Sequence, residues 1–329
     1  MRRRVAHVDT ERGWRGGQVQ LDAFLRRSSP ALEHHLLVPL GSPWVDRAPE
    51  GVVVHRLPLW GRWVGAWDLA RRLSALEPSV VGIHTAHALA LTPTRWRRVV
   101  HRRVDFRPTP VALARMRSAE RVLAVSEAVA AILRAGGVLR QTVVYDGVPH
   151  DVPLLEAPPT RRLLAVGALV PHKDHATLLR AMTELDVPLD IAGDGPLRPR
   201  LQRRIRRLGL EDRVRLLGQV DDVPTRLGAA TALVHPSKEE GLGQSVLEAL
   251  AHGVPVVATR AGGLPEAVGA DGRLVRRQDP GALAAALRDV LEDQEARGHL
   301  AGVRPARSRR FSVEAMVAAT EAAYREVAG

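Results

Sequence analysis

The sequence predicts an α/β protein built from two doubly wound domains, and three observations carry that prediction. Short β-branched runs alternate with helical stretches through the first half of the chain. A second series of the same kind fills the other half, and a proline-rich segment without periodicity, HDVPLLEAPPTRR at 150–162, separates the two. With 329 residues, each half is long enough to bury its own core. Domains are expected at 1–152 and 160–305, followed by a terminal segment at 311–329.

In the first series, strands are expected at 4–8, 35–38, 52–56, 80–84, 98–101, 121–125 and 142–145, with helical patterns at 18–27, 67–76 and 127–134. That alternation calls for a parallel sheet flanked by helices. In the second series, strands are expected at 163–166, 189–192, 214–217, 232–235 and 254–258, separated by helices at 175–185, 197–208 and 243–251. The run RPRLQRRIRRLG fits the solvent face of an amphipathic helix whose apolar stripe is Leu197, Leu201, Ile205 and Leu208. The run RPARSRR at 304–310 reads as a basic break before a last helix. Ligands in such sheets lie at the carboxyl ends of the strands, where most of the candidate site residues fall.

Composition narrows the function classes. There is no cysteine, which removes disulfides and thiolate metal sites and fits a reducing compartment. The start, MRRRVAHVDTERG, is basic but has too short an apolar run for a signal peptide or a membrane span, and no later run reaches spanning length, so a cytoplasmic location is expected. The formal charge of +12 gathers phosphates non-specifically. The arginines are spread over every surface without a basic tail, zinc-finger spacing or aromatic RNA-binding motif, so no nucleic-acid partner is expected. Peripheral attraction to an anionic membrane or an acidic acceptor is the alternative use of the charge. Lys173 and Lys238 are the only lysines, and each is a compact point charge suited to phosphate.

The stretch HPSKEEGLGQSVLEALAHGVPVVATRAGGLPE, from His235 to Glu266, is the most informative. Glu240 and Glu248 are eight residues apart, with Gly241, Leu242 and Gly243 between them and Gln244 opening an apolar helical run. The bare backbone, free N–H groups and dipole of a helix start favour phosphate. Glu248 lies one turn beyond Gln244 on the same face and leans back toward that start. A carboxylate next to a phosphate is repulsive unless it accepts hydrogen bonds from hydroxyls. The pair therefore suits an anion with hydroxyls on both sides, which describes a sugar nucleotide.

The E-x7-E arrangement with AHGVPVVAT and AGGLPE resembles the donor site of the retaining glycosyltransferases of family 4, the group 1 glycosyl transferases of GT-B fold. The resemblance starts at LLAVGALVPHKDHATLLRAM, passes through LDIAGDGPL and DRVRLLGQVDDV, and has weaker echoes in RGGQ, HRRVDF, RVLAVSEAV and VVYDGV. It implies two Rossmann-like domains facing each other across a cleft, with the final helix crossing back to the first. It further implies a hexose-type sugar transferred from a nucleoside-diphosphate donor, UDP or GDP, to a saccharide or lipid-linked acceptor in cell-surface polysaccharide or glycolipid synthesis. On this resemblance Glu240 holds sugar hydroxyls and Glu248 the ribose, while Lys173 and the amides from Leu242 to Gln244 hold the diphosphate. His101, at a strand end, stands beside the transferred sugar, and Gly218, Gln219 and Val220 hold the base through their backbone. The family pairs its lysine with an arginine five residues earlier, where this chain has Ala168.

Gly16 and Gly17, just before the first helix, allow close backbone approach to a phosphate or sugar. His84 and His87 compete with His101. All six tryptophans lie in the first domain, and Trp60, Trp63 and Trp67 are spaced for one helical face that would stack on sugar, meet a membrane interface or pack in a core. No D-x-D or H-E-x-x-H occurs, so neither metal nor cofactor is expected. A non-hydrolysing sugar-nucleotide epimerase and a non-catalytic nucleotide-binding relative fit the same residues.

Overall fold

The computed structural model describes residues 3–58, 62–149, 151–155, 161–293 and 295–329. Residues 150 and 156–160 of the expected linker, Trp60, and the side chain of Trp63 lie outside that description. The chain divides into two compact units, one formed by 1–147 with 313–329 and the other by 148–312.

In the first unit the order is β1 (Arg3–Val8), α1 (Gly16–Arg27), β2 (Leu32–Pro39), α2 (Trp44–Arg47), β3 (Val53–Leu57), α3 (Arg62–Leu76), β4 (Val80–Ile83), α4 (Ala86–Leu91), β5 (Arg98–Arg102), α5 (Pro110–Arg117), β6 (Arg121–Ala124), α6 (Glu127–Ala135) and β7 (Gln141–Val143). The strands form one parallel sheet in the order β3-β2-β1-β4-β5-β6-β7. The chain reverses direction of travel between β1 and β4, the topological switch point at which such sheets open a crevice.

The second unit follows with β8 (Leu163–Val166), a 3-10 turn (Pro171–Lys173), α7 (His175–Ala181), β9 (Leu189–Ala192), α8 (Arg198–Arg207), β10 (Val214–Gly218), α9 (Val223–Gly228), β11 (Ala232–His235), α10 (Gln244–Ala251), β12 (Val256–Thr259), α11 (Leu264–Val268), β13 (Arg273–Val275), α12 (Pro280–Glu292) and α13 (Ala296–Phe311). Its sheet is also parallel, in the order β10-β9-β8-β11-β12-β13. Leu178 and Leu179 of α7, Leu201 and Ile205 of α8, and Leu283 and Leu287 of α12 bury against Leu163, Leu189 and Val234 of the strands. Each fully buried aliphatic side chain contributes about 1.5–3 kcal/mol. Two doubly wound α/β units are thus present, as the alternation of the sequence predicted.

The run 304–310 is a correction, for it is helical within α13 and not a break. Arg307 explains why the segment stays folded with the second unit. Its guanidinium is 9% exposed and donates to the carbonyls of Val268, at 3.3 Å, and Ala267, and to Asp271 at 2.7 Å. It therefore caps the carboxyl end of α11, where unpaired carbonyls favour a cation. The last helix, α14 (Val313–Ala328), is counted with the first unit. Met316, Val317, Tyr324 and Val327 bury with Leu21 and Phe24 of α1. No helix among the described residues is long and apolar enough to cross a membrane.

Gly82 of β4 pairs with His7 of β1 and leaves room above the sheet for Tyr324. A Cβ there would overlap the Tyr324 hydroxyl and lie 3.0 Å from His7 Nδ1. Gly82→Ala is therefore expected to cost about 1–3 kcal/mol, as overpacking does. Thermal denaturation measures it, and Tyr324→Phe in the same chain should recover part of the loss. A Gly82→Ala protein melting with the wild type would contradict this packing.

Candidate active site

Three loops at the carboxyl ends of β8, β9 and β10 meet through bare backbone. Gly167 N donates to Ala192 O at 2.9 Å, and Gly193 N donates to Gly218 O at 2.7 Å. Gly193 has φ +138°, and a Cβ there would run into the Gly167 carbonyl, so only glycine permits the approach. The 3-10 turn then brings Lys173 back over Gly167, its methylene stem 3.5 Å from the place a Cβ would take.

The Lys173 ammonium meets the Glu240 carboxylate. Three side chains converge on Glu240 Oε2, namely Lys173 Nζ, His235 Nε2 at 2.7 Å and Ser237 Oγ at 3.2 Å. Burial alone would raise the Glu240 pKa. The Lys173 charge, then the hydrogen bond and charge of His235, more than offset it and hold the carboxyl well below the usual carboxylate range. His235 is lowered by burial and by Lys173, against the pull of Glu240, and its Nδ1 lies 3.3 Å from Ser245 Oγ. The ionised Glu240 carboxylate only accepts, so Nε2 of a neutral His235 carries the proton that faces it.

Gly263 N donates to Glu240 O at 3.0 Å, which ties this loop to the one after β12. Gly241, Leu242 and Gly243 are buried beneath the start of α10. Gly243 has φ +104°, and no side chain caps the helix. Gln244 Nε2 donates to Glu248 Oε1 at 3.0 Å, the one-turn spacing the sequence predicts. Burial raises the Glu248 pKa, opposed by that hydrogen bond. Gly218, at φ +80°, ends β10 and Val220 follows it, both partly buried. Lys238 does not join Glu240 but pairs with Asp174 at 3.5 Å. The carbonyl of Ala168 lies 3.3 Å from His175 Nε2, within hydrogen-bonding reach, and burial pushes the His175 pKa down to about 4.

In the first unit Gly16 and Gly17 open α1, and the loop before them is anchored by Asp9. That buried carboxylate accepts from Glu11 N at 3.0 Å, Gln18 Nε2 at 3.0 Å and Trp44 Nε1 at 2.8 Å. Trp44 is thus a core residue with its indole N–H satisfied, Trp14 meets it edge-on at 4.8 Å, and Trp67 is 68% exposed.

His101 is the next-to-last residue of β5, and both of its ring nitrogens lie within reach of partners. Nε2 lies 2.9 Å from the Tyr324 hydroxyl and Nδ1 lies 3.4 Å from Arg103 Nη2, whose Nε reaches Asp146 at 3.3 Å. His84 stacks on His101 at 4.3 Å, whereas His87 is exposed. From His84 a row of imidazoles crosses the sheet: His84 Nε2 to His7 Nδ1 at 3.1 Å, His7 Nε2 to His34 Nδ1 at 3.0 Å, and His34 Nε2 to Ser28 Oγ at 2.7 Å. Each pair needs one donor and one acceptor, so the row is built for neutral rings. Burial lowers His7, His84 and His101 well below the ordinary value and His34 to about 4, and the repulsion that a second protonated ring would meet, with the Arg103 charge beside His84 and His101, adds to it.

Sequence reasoning missed Asp9, His7, His34, His235, Ser237 and Ser245. His7 and His235 were detectable as ionisable residues in apolar strands, but their partners come from loops and strands remote in sequence.

Residues 160–293 match the family model described as glycosyl transferases group 1. Among curated proteins, the chain is 31% identical to the uncharacterized glycosyltransferase MJ1178 of Methanocaldococcus jannaschii, over 57% of this chain and 54% of that protein. It is 29% identical to the lipopolysaccharide core biosynthesis glycosyltransferase LpsD of Rhizobium meliloti, over 87% of each. It spans 40% of N-acetyl-alpha-D-glucosaminyl L-malate synthase of Bacillus anthracis at 34% identity, so these alignments cover about half or less of two of the three relatives. Among solved structures, Anabaena Alr3699/HepE in complex with UDP and glucose superimposes with TM-score 0.85 at 21% identity, over 98% of this chain and 99% of that one. Sucrose-phosphate synthase of Thermosynechococcus elongatus gives 0.83 at 19% identity, over 99% of each. The fold is that of the GT-B glycosyltransferases. The second unit carries the group 1 signature, in line with the resemblance to family 4.

The row of neutral histidines makes stability pH-dependent. These groups have folded pKa values below the unfolded value of about 6.5. The unfolded chain therefore binds more protons below that pH, and stability present at neutral pH is lost as pH falls toward 4. His34 alone is expected to account for about 3 kcal/mol at pH 4. Urea melts at pH 7 and pH 5 test this, and equal midpoints would contradict it.

Proposed function

We propose that the chain is a retaining, metal-independent glycosyltransferase that moves a hexose-type sugar from a nucleoside-diphosphate sugar to a saccharide or lipid-linked acceptor. The observation that carries the reading is the cluster of Lys173, His235 and Glu240 beside the uncapped start of α10, with Glu248 one turn behind. In this reading the diphosphate takes the first amides of α10, and Lys173 supplies the positive charge that a divalent ion would otherwise bring. Glu248 accepts from the ribose hydroxyls in place of Gln244, and Glu240 accepts from sugar hydroxyls while His235 and Ser237 keep it oriented. Gly218 and Val220 present backbone to the base.

In the first unit the proposal assigns substrate contact to His101 and to the amides of Gly16 and Gly17. The 3.4 Å Arg103 contact is long and leaves His101 Nδ1 the easier of its two nitrogens to transfer to a sugar hydroxyl. HepE has been crystallised with UDP and with UDP-glucose, which supports a nucleoside-diphosphate sugar as donor, with UDP and GDP both open. Since LpsD is a lipopolysaccharide core enzyme, a cell-surface glycan or glycolipid acceptor handled at the cytoplasmic face of the membrane is the corresponding proposal.

A thermal-shift screen against UDP, GDP and ADP sugars tests the reading, because a ligand of the folded state raises Tm. Glu248→Ala should abolish the shift of the preferred nucleotide, and an unchanged shift would contradict the ribose assignment. Lys173→Ala is expected to lower kcat by about 10²–10³ with donor binding less affected. His101→Ala should spare binding and depress transfer. An altered donor sugar without any transferred product would replace this reading by an epimerase.

The raised Glu248 pKa sets a pH dependence. Its acceptor-only charged form is present above that pKa and is lost as pH falls through it, starting above the ordinary carboxylate range. Affinity for the nucleotide should be flat at neutral pH and fall on acidification, with the fall absent in Glu248→Gln. Equal pH profiles for the two proteins would remove Glu248 from the ribose.

A further inference from the structure

Beyond that site, the loops after β11, β12 and β13 enclose an open groove of about 530 Å³ lined by Lys238, Glu239, Arg260, Arg276, Arg277 and Gln278. Four cations face one carboxylate there. Like charges gathered in one concavity repel, so the arrangement raises the local concentration of anions.

The groove is held in shape. Arg277 Nη1 donates to the Lys238 carbonyl at 3.0 Å, joining the loop after β13 to the loop after β11. Arg260 N donates to Val275 O at 2.8 Å, and Lys238 N to His172 O at 2.7 Å, so each loop is pinned through its backbone. Arg276 pairs with Asp279 at 2.9 Å and Lys238 with Asp174 at 3.5 Å. The Arg260 guanidinium has no hydrogen-bond or ion-pair partner among the described residues. Gln278 holds φ +59°, a strained conformation for a residue with a Cβ, at the groove's edge.

We infer that this groove is a binding site for a phosphate-bearing ligand, gripped by the Arg260, Arg276 and Arg277 guanidiniums with Lys238 as a point charge. Guanidinium forks match phosphate oxygens two at a time, and Arg277 keeps several N–H donors after its bond to Lys238. The location agrees, since ligands of parallel sheets lie beyond the carboxyl ends of the strands. Glu239 lines the groove and Glu240, its neighbour in the chain, faces Lys173, so the groove adjoins the candidate active site without sharing its residues. Glu239 disfavours an anion close to itself and directs the phosphate to the arginine side.

The test uses the full chain with inorganic phosphate at roughly ten-millimolar concentration, chloride being adjusted to equal ionic strength. Wild type should gain about 2 °C in Tm, and the double variant Arg260→Glu, Arg276→Gln should lose that gain. The shift produced by UDP is measured in parallel, so loss of the phosphate response with the UDP response intact belongs to the groove alone. Sedimentation with phosphatidylglycerol vesicles and titration with glucose 6-phosphate separate a lipid headgroup from a free sugar phosphate, and binding in either arm that the double variant abolishes supports the site. Equal phosphate responses in wild type and variant, or none in wild type, would overturn it.

Discussion

Glu240 is the constraint on which the second unit depends. A carboxylate with 15% of its side chain exposed costs several kcal/mol to bury unless it is paired and hydrogen-bonded. Here Lys173 arrives from the loop after β8, His235 from the end of β11 and Ser237 from the loop that follows, while Gly263 holds the carbonyl from beyond β12. Removing any one leaves a buried charge short of partners, so the positions of these loops are coupled. The glycines at 193 and 243 make that convergence sterically possible, because each has a left-handed backbone and sits where a side chain would strike a neighbour. A pre-arranged set of charges around an uncapped helix start needs little reorganisation when a charged substrate arrives.

The first unit solves a different problem with a different chemistry. Beside the Arg103 to Asp146 ion pair, the polar row that crosses its sheet does not rely on charge. Instead His34, His7 and His84 link through neutral rings, and His101 lies between Tyr324 and Arg103. Neutral imidazoles pack like aromatic rings yet satisfy one another's hydrogen bonds, and of the ring nitrogens of His34, His7 and His84 only His84 Nδ1 is buried without a partner among the described residues. Phe24 and Tyr324, stacked at 5.7 Å, cover the row, so the terminal helix is part of this core.

Much of the basic charge has a structural use that composition does not reveal. Arg4 donates to Leu76 O at the end of α3, Arg115 to Leu89 O in the last turn of α4, and Arg117 to Gly136 O after α6. Arg97 reaches Val327 O in α14, and Arg307 does the same for α11. Free carbonyls at helix ends carry partial negative charge, and a long side chain with five donors reaches them from a neighbouring element. A high formal charge is thus compatible with arginines that serve the fold.

The sequence by itself determined the alternation of strands and helices, the division into two α/β units, and the placement of Glu240 and Glu248 about the start of α10, because these rest on local periodicity and on residues a few positions apart. Strands at 163–166, 189–192 and 232–235 have the predicted bounds, since buried parallel strands read as short apolar runs. The strand Arg273–Val275, three residues opened by an arginine, has too little pattern to read, and α12 was overlooked despite Asp279 and Pro280 at its start. Tertiary structure alone decided that Lys173 meets Glu240, that Lys238 turns away to Asp174, that His7 joins His34 and His84, and that 304–310 stays helical through Arg307. Those pairings join strand ends and loops far apart in the chain, and their partners are set by sheet order and backbone packing that no local pattern encodes.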